Sequence, residues 1–360
     1  MNNTYCKDFE AVKQRFEGWW NHEDIGRPLM HIIAKKPDDG TSAPVPRDLT
    51  AKYADPEYLT AAYRWQLEHT VLLADSFPNT SCLLGPGSMA LYLGSEPIFS
   101  EDTVWYSETI DDAEDFANLA YDPQNKWWVR HQEILRRMTE LAAGDYLVGI
   151  PDIIENADIL SSLRGPQELC YDMIDCPEDV EAGIHKIDEL YFKYYDAFRS
   201  IVAEKEDTVC YTAFDILGPD RVAKVQCDYS ALISPQMYRD LIVPSLRKQC
   251  RNLTHSMYHL DGPDAIKHVD ALMTIDELKA LQWTCGAGQP DGASERWFPI
   301  YDKVREAGKS LWIQLYDGGP EDWEASTRRI IDRYGRHGLY FYYPEFPDVK
   351  TAEKFIAKFD

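Results

Sequence analysis

Short apolar runs alternate with longer amphipathic stretches along most of the chain, and this alternation limits the folds open to it. Eight of the runs are typical of β-strands: residues 29–34, a run near 82–93, 146–150, 223–229, 256–261, 280–285, 310–315 and 338–343. Helical stretches lie between them, such as 177–204, 234–252 and Pro320–Tyr334. The last of these begins with acidic residues and ends with arginines, the charge order that the helix dipole favours.

Strands that alternate with helices predict parallel βαβ units. Eight such units in 360 residues favour an α/β fold of the (β/α)8 (TIM) barrel type over an open doubly wound sheet. We therefore expect one barrel domain over residues 1–360, of which residues 1–28 form a helical N-terminal extension. The N-terminal part of the chain is less regular, which predicts that this extension and long loops lie over the barrel mouth.

The charge of the chain excludes several classes of partner. Its 37 basic and 61 acidic side chains give a formal net charge of −24, which repels phosphate backbones and anionic lipid. We expect no nucleic-acid partner and no membrane: no apolar run approaches the ~20 residues that span a bilayer, and the first residues do not resemble a signal peptide. The eight cysteines form no CxxC pair and are too sparse for a disulfide scaffold, which favours reduced thiols in a cytoplasmic protein.

Active sites of such barrels lie at the carboxyl ends of the strands, so the residues that end each predicted strand are the candidates. The strongest local pattern is YHLDGP at 258–263, where the two-residue period of a strand puts His259 and Asp261 on one face. Such a pair binds a metal or a polar substrate, or transfers protons. The alternative interpretation is structural: Asp261 would cap the following helix, and His259 would make a hydrogen bond that only stabilises the fold. Both interpretations stay open.

Other predicted strands also end in polar, thiol or aromatic groups. Cys285 precedes two glycines that allow a ligand to approach the backbone, and Glu345 follows the last strand; a buried thiol and a solvated carboxylate are the alternatives. We add Asp228 and Asp75 as catalytic candidates, although helix caps and turns use the same residue types. The substrate-binding candidates are Asp152, Glu155, Tyr258, Trp283, Tyr316 and Arg164. The three aromatic residues among them would form an apolar wall, which suits a cationic ligand.

Several common motifs are missing from the chain. It contains no GxGxxG after a strand, no GxxxxGK followed by Ser or Thr, no GxSxG and no HExxH. This argues against nucleotide-binding, serine-hydrolase and zincin functions.

Six segments together resemble the uroporphyrinogen decarboxylase superfamily: RFEGWWNHEDIGRPLMHI, LADSFP, SSLRGPQELCYDMIDCPEDV, DYSALISPQMYRDLIVPSL, YHLDGP and QWTCGAG. The resemblance extends from Phe16 to the end of the chain. The superfamily folds as (β/α)8 barrels and includes the decarboxylase and the corrinoid-dependent methyltransferases of one-carbon metabolism. The fourth and fifth segments carry the resemblance best, because they look like the approach to the metal-bearing strand of the methyltransferases.

The resemblance to the methyltransferase branch implies a zinc site. His259 matches the family histidine, and Asp261 stands where the family has a cysteine. Cys285 lies on the next strand near a secondary ligand, and Glu345, with Tyr343 as the alternative, falls near the last one. One histidine, two carboxylates and one thiolate are acceptable zinc ligands, and they would make the ion a harder Lewis acid than a thiolate-rich set does.

The leading hypothesis is therefore a methyltransferase. It would move a methyl group between a small methylated donor and a corrinoid (cobalamin) carried by a separate partner protein, with zinc activation; homodimerisation is left open. The alternative is a metal-independent decarboxylase or lyase acting on a small carboxylic acid held by Arg164 or Arg221. In the decarboxylase branch of the superfamily, Asp75 stands near the family's central substrate aspartate. An acidic barrel mouth with few arginines would, however, repel the many carboxylates of a porphyrinogen. A third hypothesis is a ligand-binding relative without catalysis.

Overall fold

The structure is a computed structural model that describes residues 4–203 and 207–360. Its strands are β1 (Leu29–Lys35), β2 (Thr70–Ala74), β3 (Asn79–Thr80), β4 (Pro97–Phe99), β5 (Val104–Tyr106), β6 (Leu147–Val148), β7 (Thr208–Tyr211), β8 (Ile216–Pro219), β9 (Val222–Gln226), β10 (His255–Asp261), β11 (Ala280–Thr284), β12 (Ser310–Gln314) and β13 (Leu339–Tyr342). Its α-helices are α1 (Phe9–Trp20), α2 (Leu49–Ala54), α3 (Pro56–His69), α4 (Met89–Tyr92), α5 (Lys126–Ala142), α6 (Asn156–Arg164), α7 (Pro166–Asp175), α8 (Pro177–Val202), α9 (Pro235–Met237), α10 (Val243–Arg251), α11 (Val269–Leu272), α12 (Phe298–Glu306), α13 (Pro320–Tyr334) and α14 (Val349–Ile356). Among the described residues, no helix combines the length and the hydropathy needed to cross a bilayer.

A central sheet of parallel strands organises the molecule. Its order is β9, β10, β11, β12, β13 and β1, with β2 added antiparallel to β1 at the edge. A second, short parallel pair joins β3 to β6, and an isolated parallel bridge links Ile150 to Tyr211 at the end of β7. Helices connect the parallel strands, so the chain has the predicted α/β architecture with a central parallel sheet.

The predicted elements of the C-terminal half are confirmed. The runs at 223–229, 256–261, 280–285, 310–315 and 338–343 correspond to β9 through β13, and the run at 29–34 corresponds to β1. Helix α13 has the predicted bounds, and α8 begins as predicted, whereas residue 204, its predicted end, lies outside the described residues. The predicted helix 234–252 consists of α9, a π-helical turn and α10 in succession.

The prediction for residues 82–93 is wrong, because this run contains helix α4 and no strand. Gly85 and Gly87 both adopt positive φ and interrupt the run, and the Met-Ala-Leu stretch that follows has high helix propensity. The run at 146–150 is a strand only at Leu147–Val148. The antiparallel strand β2 and the hairpin of β7 and β8 were not predicted, since antiparallel pairs do not follow the alternation of strands and helices.

Helix α1 covers the amino ends of the parallel strands. Its buried face carries Phe16, Trp19 and Trp20. The carbonyl oxygen of Trp19 accepts a hydrogen bond of 2.8 Å from Ser310, the first residue of β12, and Trp20 stacks on His255, the first residue of β10. The prediction that the N-terminal extension lies over the mouth is therefore wrong, because its aromatic face packs at the opposite end of the sheet.

Asp75 links helix α1 to strand β1 at the amino end of the sheet. Its carboxylate is fully buried and forms ion pairs with Arg15 of α1 and with Arg27. It also accepts a hydrogen bond of 2.9 Å from the backbone amide of Met30 in β1. The group predicted to be catalytic thus lies against α1 and β1, where it ties the N-terminal helix to the sheet.

We expect Asp75→Asn to lower the free energy of unfolding by about 3 kcal/mol, because it leaves the largely buried Arg15 guanidinium without its counterion and Arg27 with only the exposed carboxylate of Asp360. Urea unfolding monitored by circular dichroism measures the change. Asp332→Asn, at an exposed position of α13, is the control. A loss no larger than that of the control would contradict this role for Asp75.

Candidate functional site

Three side chains converge at the carboxyl ends of β9 and β10: Asp228, His259 and Asp261, called the carboxyl-edge cluster below. One ligand atom from each lies within 4.8 Å of the others. Strand periodicity puts His259 and Asp261 on one face of β10, and the register of β9 sets Gln226 opposite His259. Asp228, two residues further on, therefore reaches the level of Asp261, and its Oδ1 lies 3.9 Å from His259 Nε2.

The orientation of His259 is fixed by its neighbour on β11. The register pairs His259 with Gln282, whose Oε1 accepts a hydrogen bond from His259 Nδ1. Gln282 Nε2 in turn donates to Thr284 Oγ1 at 2.9 Å, which holds the amide in this orientation. With its proton on Nδ1, the ring presents the lone pair of Nε2 to the two carboxylates.

The electrostatics of the cluster favour a cation. Burial, and then the charge of Lys224, lower the pKa of His259, so its ring is neutral and available as a ligand. Burial, and then the carboxylate of Asp158, raise the pKa of Asp228 to about 8. The side chain of Asp228 nevertheless keeps 46% of its surface exposed, so water moderates this shift. Carboxylates that repel one another beside a neutral imidazole form a donor set that a divalent metal would stabilise.

A buried ionic network lies beneath the cluster. Lys224 in β9 is 1% exposed, and its Nζ lies 2.8 Å from Asp152 Oδ1. Tyr211 donates a hydrogen bond of 2.7 Å to the same oxygen. Asp152, predicted to bind substrate, is thereby held in an internal ion pair.

Two further carboxyl groups hold the backbone around Asp228. Asp158 accepts hydrogen bonds from the backbone amides of Asp228 at 2.9 Å and Tyr229 at 2.8 Å, which positions the loop after β9. Glu155, predicted to bind substrate, is buried and accepts from the backbone amide of Gln226. Burial raises the pKa of Glu155 to about 8. Both groups therefore support the strand end that carries Asp228.

The structure places Cys285 and Glu345 outside the carboxyl-edge cluster. Asp261 pairs with Thr284, so the alternation of β11 turns the next residue, Cys285, to the other face. Its thiol is buried, and burial raises its pKa to about 11. Glu345 is exposed and forms an ion pair of 3.3 Å with Lys35 instead.

The predicted aromatic wall does not form, because Tyr258 and Trp283 both lie on the face of the sheet opposite to His259. Tyr258 is buried on the side away from His259 and makes a hydrogen bond of 3.0 Å with the Tyr238 hydroxyl. Trp283 is buried with its ring centroid 5.0 Å from that of Trp297. Tyr316 is 42% exposed. A pocket of about 310 Å³ beside the cluster is lined by Asp261, Trp283, Thr284, Cys285, Gly286, Ala287, Gln314 and Tyr316.

The two arginines predicted to hold an anionic substrate group are engaged in ion pairs. Arg164 donates to both carboxylate oxygens of Asp172, at 2.8 and 3.3 Å. Arg221 donates to both oxygens of Asp196, at 2.9 and 2.7 Å. A substrate carboxylate would have to displace these partners, which disfavours the decarboxylase hypothesis.

Sequence reasoning missed the polar residues in the strand interiors. Lys224 and Gln226 are two residues apart in β9, and Gln282 lies in β11. All three are buried in otherwise apolar strands. Buried polar side chains need partners, so a polar residue at every second position of a central strand is the signal that points to them.

Comparison with known proteins finds a solved structure with a similar fold but identifies no family. No family model and no curated protein matches the chain. A methyltransferase from Methanosarcina mazei has a similar structure, with a TM-score of 0.61 and 11% sequence identity, over 97% of this chain and 98% of that chain. At this identity the similarity shows a shared fold, and the resemblance to the uroporphyrinogen decarboxylase superfamily stays a prediction.

The raised pKa of Glu155 predicts a pH-dependent stability. In the unfolded chain this carboxyl keeps its ordinary pKa of 4.5, whereas the folded value is about 8. Between these values the folded state binds more protons than the unfolded state, so the contribution of Glu155 to stability falls as pH rises through this window. We expect Glu155→Gln to match the wild type at about pH 5 and to exceed its free energy of unfolding at about pH 8.5.

Urea unfolding at a series of pH values measures this difference. Gln preserves the acceptor for the Gln226 amide but does not ionise, so only the proton-linked part of the stability changes. Glu181→Gln, an exposed position in α8, is the matched control. A constant difference between Glu155→Gln and the wild type over the whole pH range would refute the burial effect.

Proposed function

We propose that this protein is a methyltransferase that moves a methyl group between a small methylated donor and a corrinoid carried by a separate partner protein, with zinc at the carboxyl-edge cluster. The convergence of Asp228, His259 and Asp261 within 4.8 Å carries the proposal. The shared fold with a protein named as a methyltransferase supports it. In this proposal the chain closes into a (β/α)8 barrel, to which the short parallel pair of β3 and β6 and the bridge to β7 contribute.

The donor set fits the proposed metal. His259 Nε2 and one oxygen from each of Asp228 and Asp261 would hold the ion, and three protein ligands are the usual number in catalytic zinc sites, where substrate takes the remaining position. Zinc bound there would supply Lewis acidity that makes the donor heteroatom a better leaving group, and the partner's corrinoid would supply the methyl carrier. This replaces the ligand set expected from the resemblance, because Asp228 takes the place of Cys285 and Glu345.

The residues of the chain perform the remaining tasks. Gln282 keeps the proton of His259 on Nδ1, so that the lone pair of Nε2 would be available to hold the ion. Asp158 holds the loop that carries Asp228. The pocket of about 310 Å³ beside Asp261 gives the donor a binding place, and Tyr316 forms its partly exposed wall. The proposed setting is the cytoplasm, in keeping with eight cysteines that are all free thiols.

Metal analysis and a methyl-transfer assay test the proposal together. We expect the purified wild type to bind one zinc ion per chain and to demethylate at least one member of a panel of methylated amines and O-methyl compounds, with reduced cobalamin as acceptor. His259→Ala should lose both properties, because it removes the nitrogen ligand. His185→Ala, an exposed position in α8, should keep both.

Two outcomes would defeat the proposal. The first is a wild type that binds no divalent metal under reducing conditions. The second is a His259→Ala variant that transfers methyl groups as fast as the wild type.

We expect Gln282→Leu to lower zinc affinity by about 10- to 100-fold, since the hydrogen bond to His259 Nδ1 orients the ligand nitrogen. Gln282→Glu should keep or increase affinity, because a carboxylate accepts the same hydrogen bond. Competition with a fluorescent chelator measures both constants. Equal affinities for the wild type and Gln282→Leu would remove Gln282 from this positioning role.

A further inference from the structure

A second histidine, His31, lies on the face of the sheet that carries His259, called the inner face below, but on a different strand. His31 in β1 pairs in register with Tyr342 in β13, and their rings stack with centroids 4.1 Å apart and planes 10° apart. His31 is 4% exposed, and neither of its ring nitrogens has a hydrogen-bond partner. A buried imidazole with both nitrogens unsatisfied is rare in proteins and needs an explanation.

A strained turn brings a carboxylate to this histidine. Asp215, which follows the turn Thr212–Phe214 between β7 and β8, has φ 47° and ψ 49° in the left-handed region. Its Oδ2 lies 3.7 Å from His31 Nδ1, and its Oδ1 accepts a hydrogen bond of 2.7 Å from Asn79. Non-glycine residues hold such a conformation where the surroundings impose it, and functional sites are enriched in them.

The surroundings of the turn do impose this conformation. Tyr340 donates a hydrogen bond of 3.1 Å to the carbonyl oxygen of Asp215, and Trp312 Nε1 donates one of 3.1 Å to the carbonyl oxygen of Phe214. Both donors belong to strands of the central sheet. The carboxylate is therefore presented at a fixed place on its inner side.

The structure places the imidazole of His31 3.7 Å from the Asp215 carboxylate, to which the Tyr342 hydroxyl also hydrogen-bonds. Within residues 4–203 and 207–360, no lysine or arginine forms an ion pair with it. Burial lowers the pKa of His31, so that its ring is neutral at neutral pH. The amide oxygen of Asn79 is also buried and unsatisfied. This group of residues thus offers a negative charge and several free acceptors, which is complementary to a cation that donates hydrogen bonds.

Aromatic rings connect this group to the carboxyl-edge cluster. The ring of Phe214 lies 5.1 Å from that of His259 and 5.6 Å from that of Trp312. Trp312 lies 5.1 Å from Tyr342, which stacks on His31. The same turn therefore contacts His259 through Phe214 and His31 through Asp215. A ligand that reaches from one end to the other would lie along apolar ring surfaces.

We propose that His31, Asn79 and Asp215 form an anchoring subsite for a protonated amine on the substrate. This inference rests on the proposed function, because the opposite end of the same molecule would meet the carboxyl-edge cluster. The ammonium group donates hydrogen bonds to the Asp215 carboxylate, to the Asn79 amide oxygen and to one nitrogen of His31. The substrate is then a small aliphatic amine that also carries the methylated group.

Side-chain NMR of the full-length, ¹⁵N-histidine-labelled protein tests the subsite with simple probes. We expect ethylammonium to shift the His31 ring signals with a saturable dependence, and ethanol and propionate to give no saturable shift. The signals of the exposed His185 should stay unchanged. Asp215→Asn should weaken ethylammonium binding by about tenfold or more, since it removes a charge-assisted hydrogen bond.

Matched variants separate binding from folding. Asparagine tolerates the left-handed conformation, so Asp215→Asn should keep the wild-type thermal unfolding midpoint to within a few degrees. Asp220→Asn replaces another left-handed aspartate of the same segment, exposed to solvent, and should leave ethylammonium binding unchanged. His31→Phe keeps the stack on Tyr342 but removes both nitrogens, and it should weaken binding as well.

The inference is overturned if ethylammonium gives no saturable shift at His31, if Asp215→Asn binds it as tightly as the wild type, or if propionate binds better. Zinc affinity, measured on the same samples, distinguishes this failure from failure of the proposed function. Zinc binding without ethylammonium binding rejects the subsite alone. Ethylammonium binding without zinc binding rejects the metal centre and leaves the anchoring role of Asp215 in place.

Discussion

The register between β9, β10 and β11 is the constraint on which the site depends. Hydrogen bonds of the parallel ladders set Gln226, His259 and Gln282 side by side, and the alternation of side chains then brings Asp228 level with Asp261. A slip of one residue would turn His259 toward the helices and expose the apolar side chains of β10. The apolar residues on the outer face are therefore as necessary to the cluster as its own ligands.

Polar groups in the strand interiors make this register costly to lose. Lys224 is neutralised by Asp152, and Gln226 is held between Lys224 and the carboxylates of Asp158 and Asp228. Buried polar networks stabilise a fold only when each member has its partner. A shift in the register of one strand would therefore leave several buried charges without partners. The network couples the stability of the sheet to the placement of Asp228.

The sequence was sufficient to predict the parallel strands of the C-terminal half, because each is a short apolar run followed by a helix with clear charge order or an N-terminal proline. It also predicted His259 and Asp261, since two residues at a strand end obey a period of two. The positions of Asp228 and Gln282 beside these two residues depend on pairing between strands that are 20 or more residues apart in the chain. No local sequence pattern encodes this pairing. The turn that carries Phe214 and Asp215 escaped prediction for the same reason: its place on the inner side of the sheet is set by hydrogen bonds from Trp312 and Tyr340, about 100 residues later in the chain.

Helix α1 closes the amino end of the sheet with Phe16, Trp19 and Trp20, while Asp228, His259 and Asp261 lie at the other end. Tolerance to mutation should therefore differ along one axis of the molecule. Substitutions among the tryptophans should reduce the yield of folded protein, whereas under the proposed function substitutions around the pocket beside Asp261 should change which methyl donors are accepted. For the proposed methyltransferase, a library aimed at other methyl donors would then vary the loops after β9 to β13 and leave Phe16, Trp19 and Trp20 unchanged.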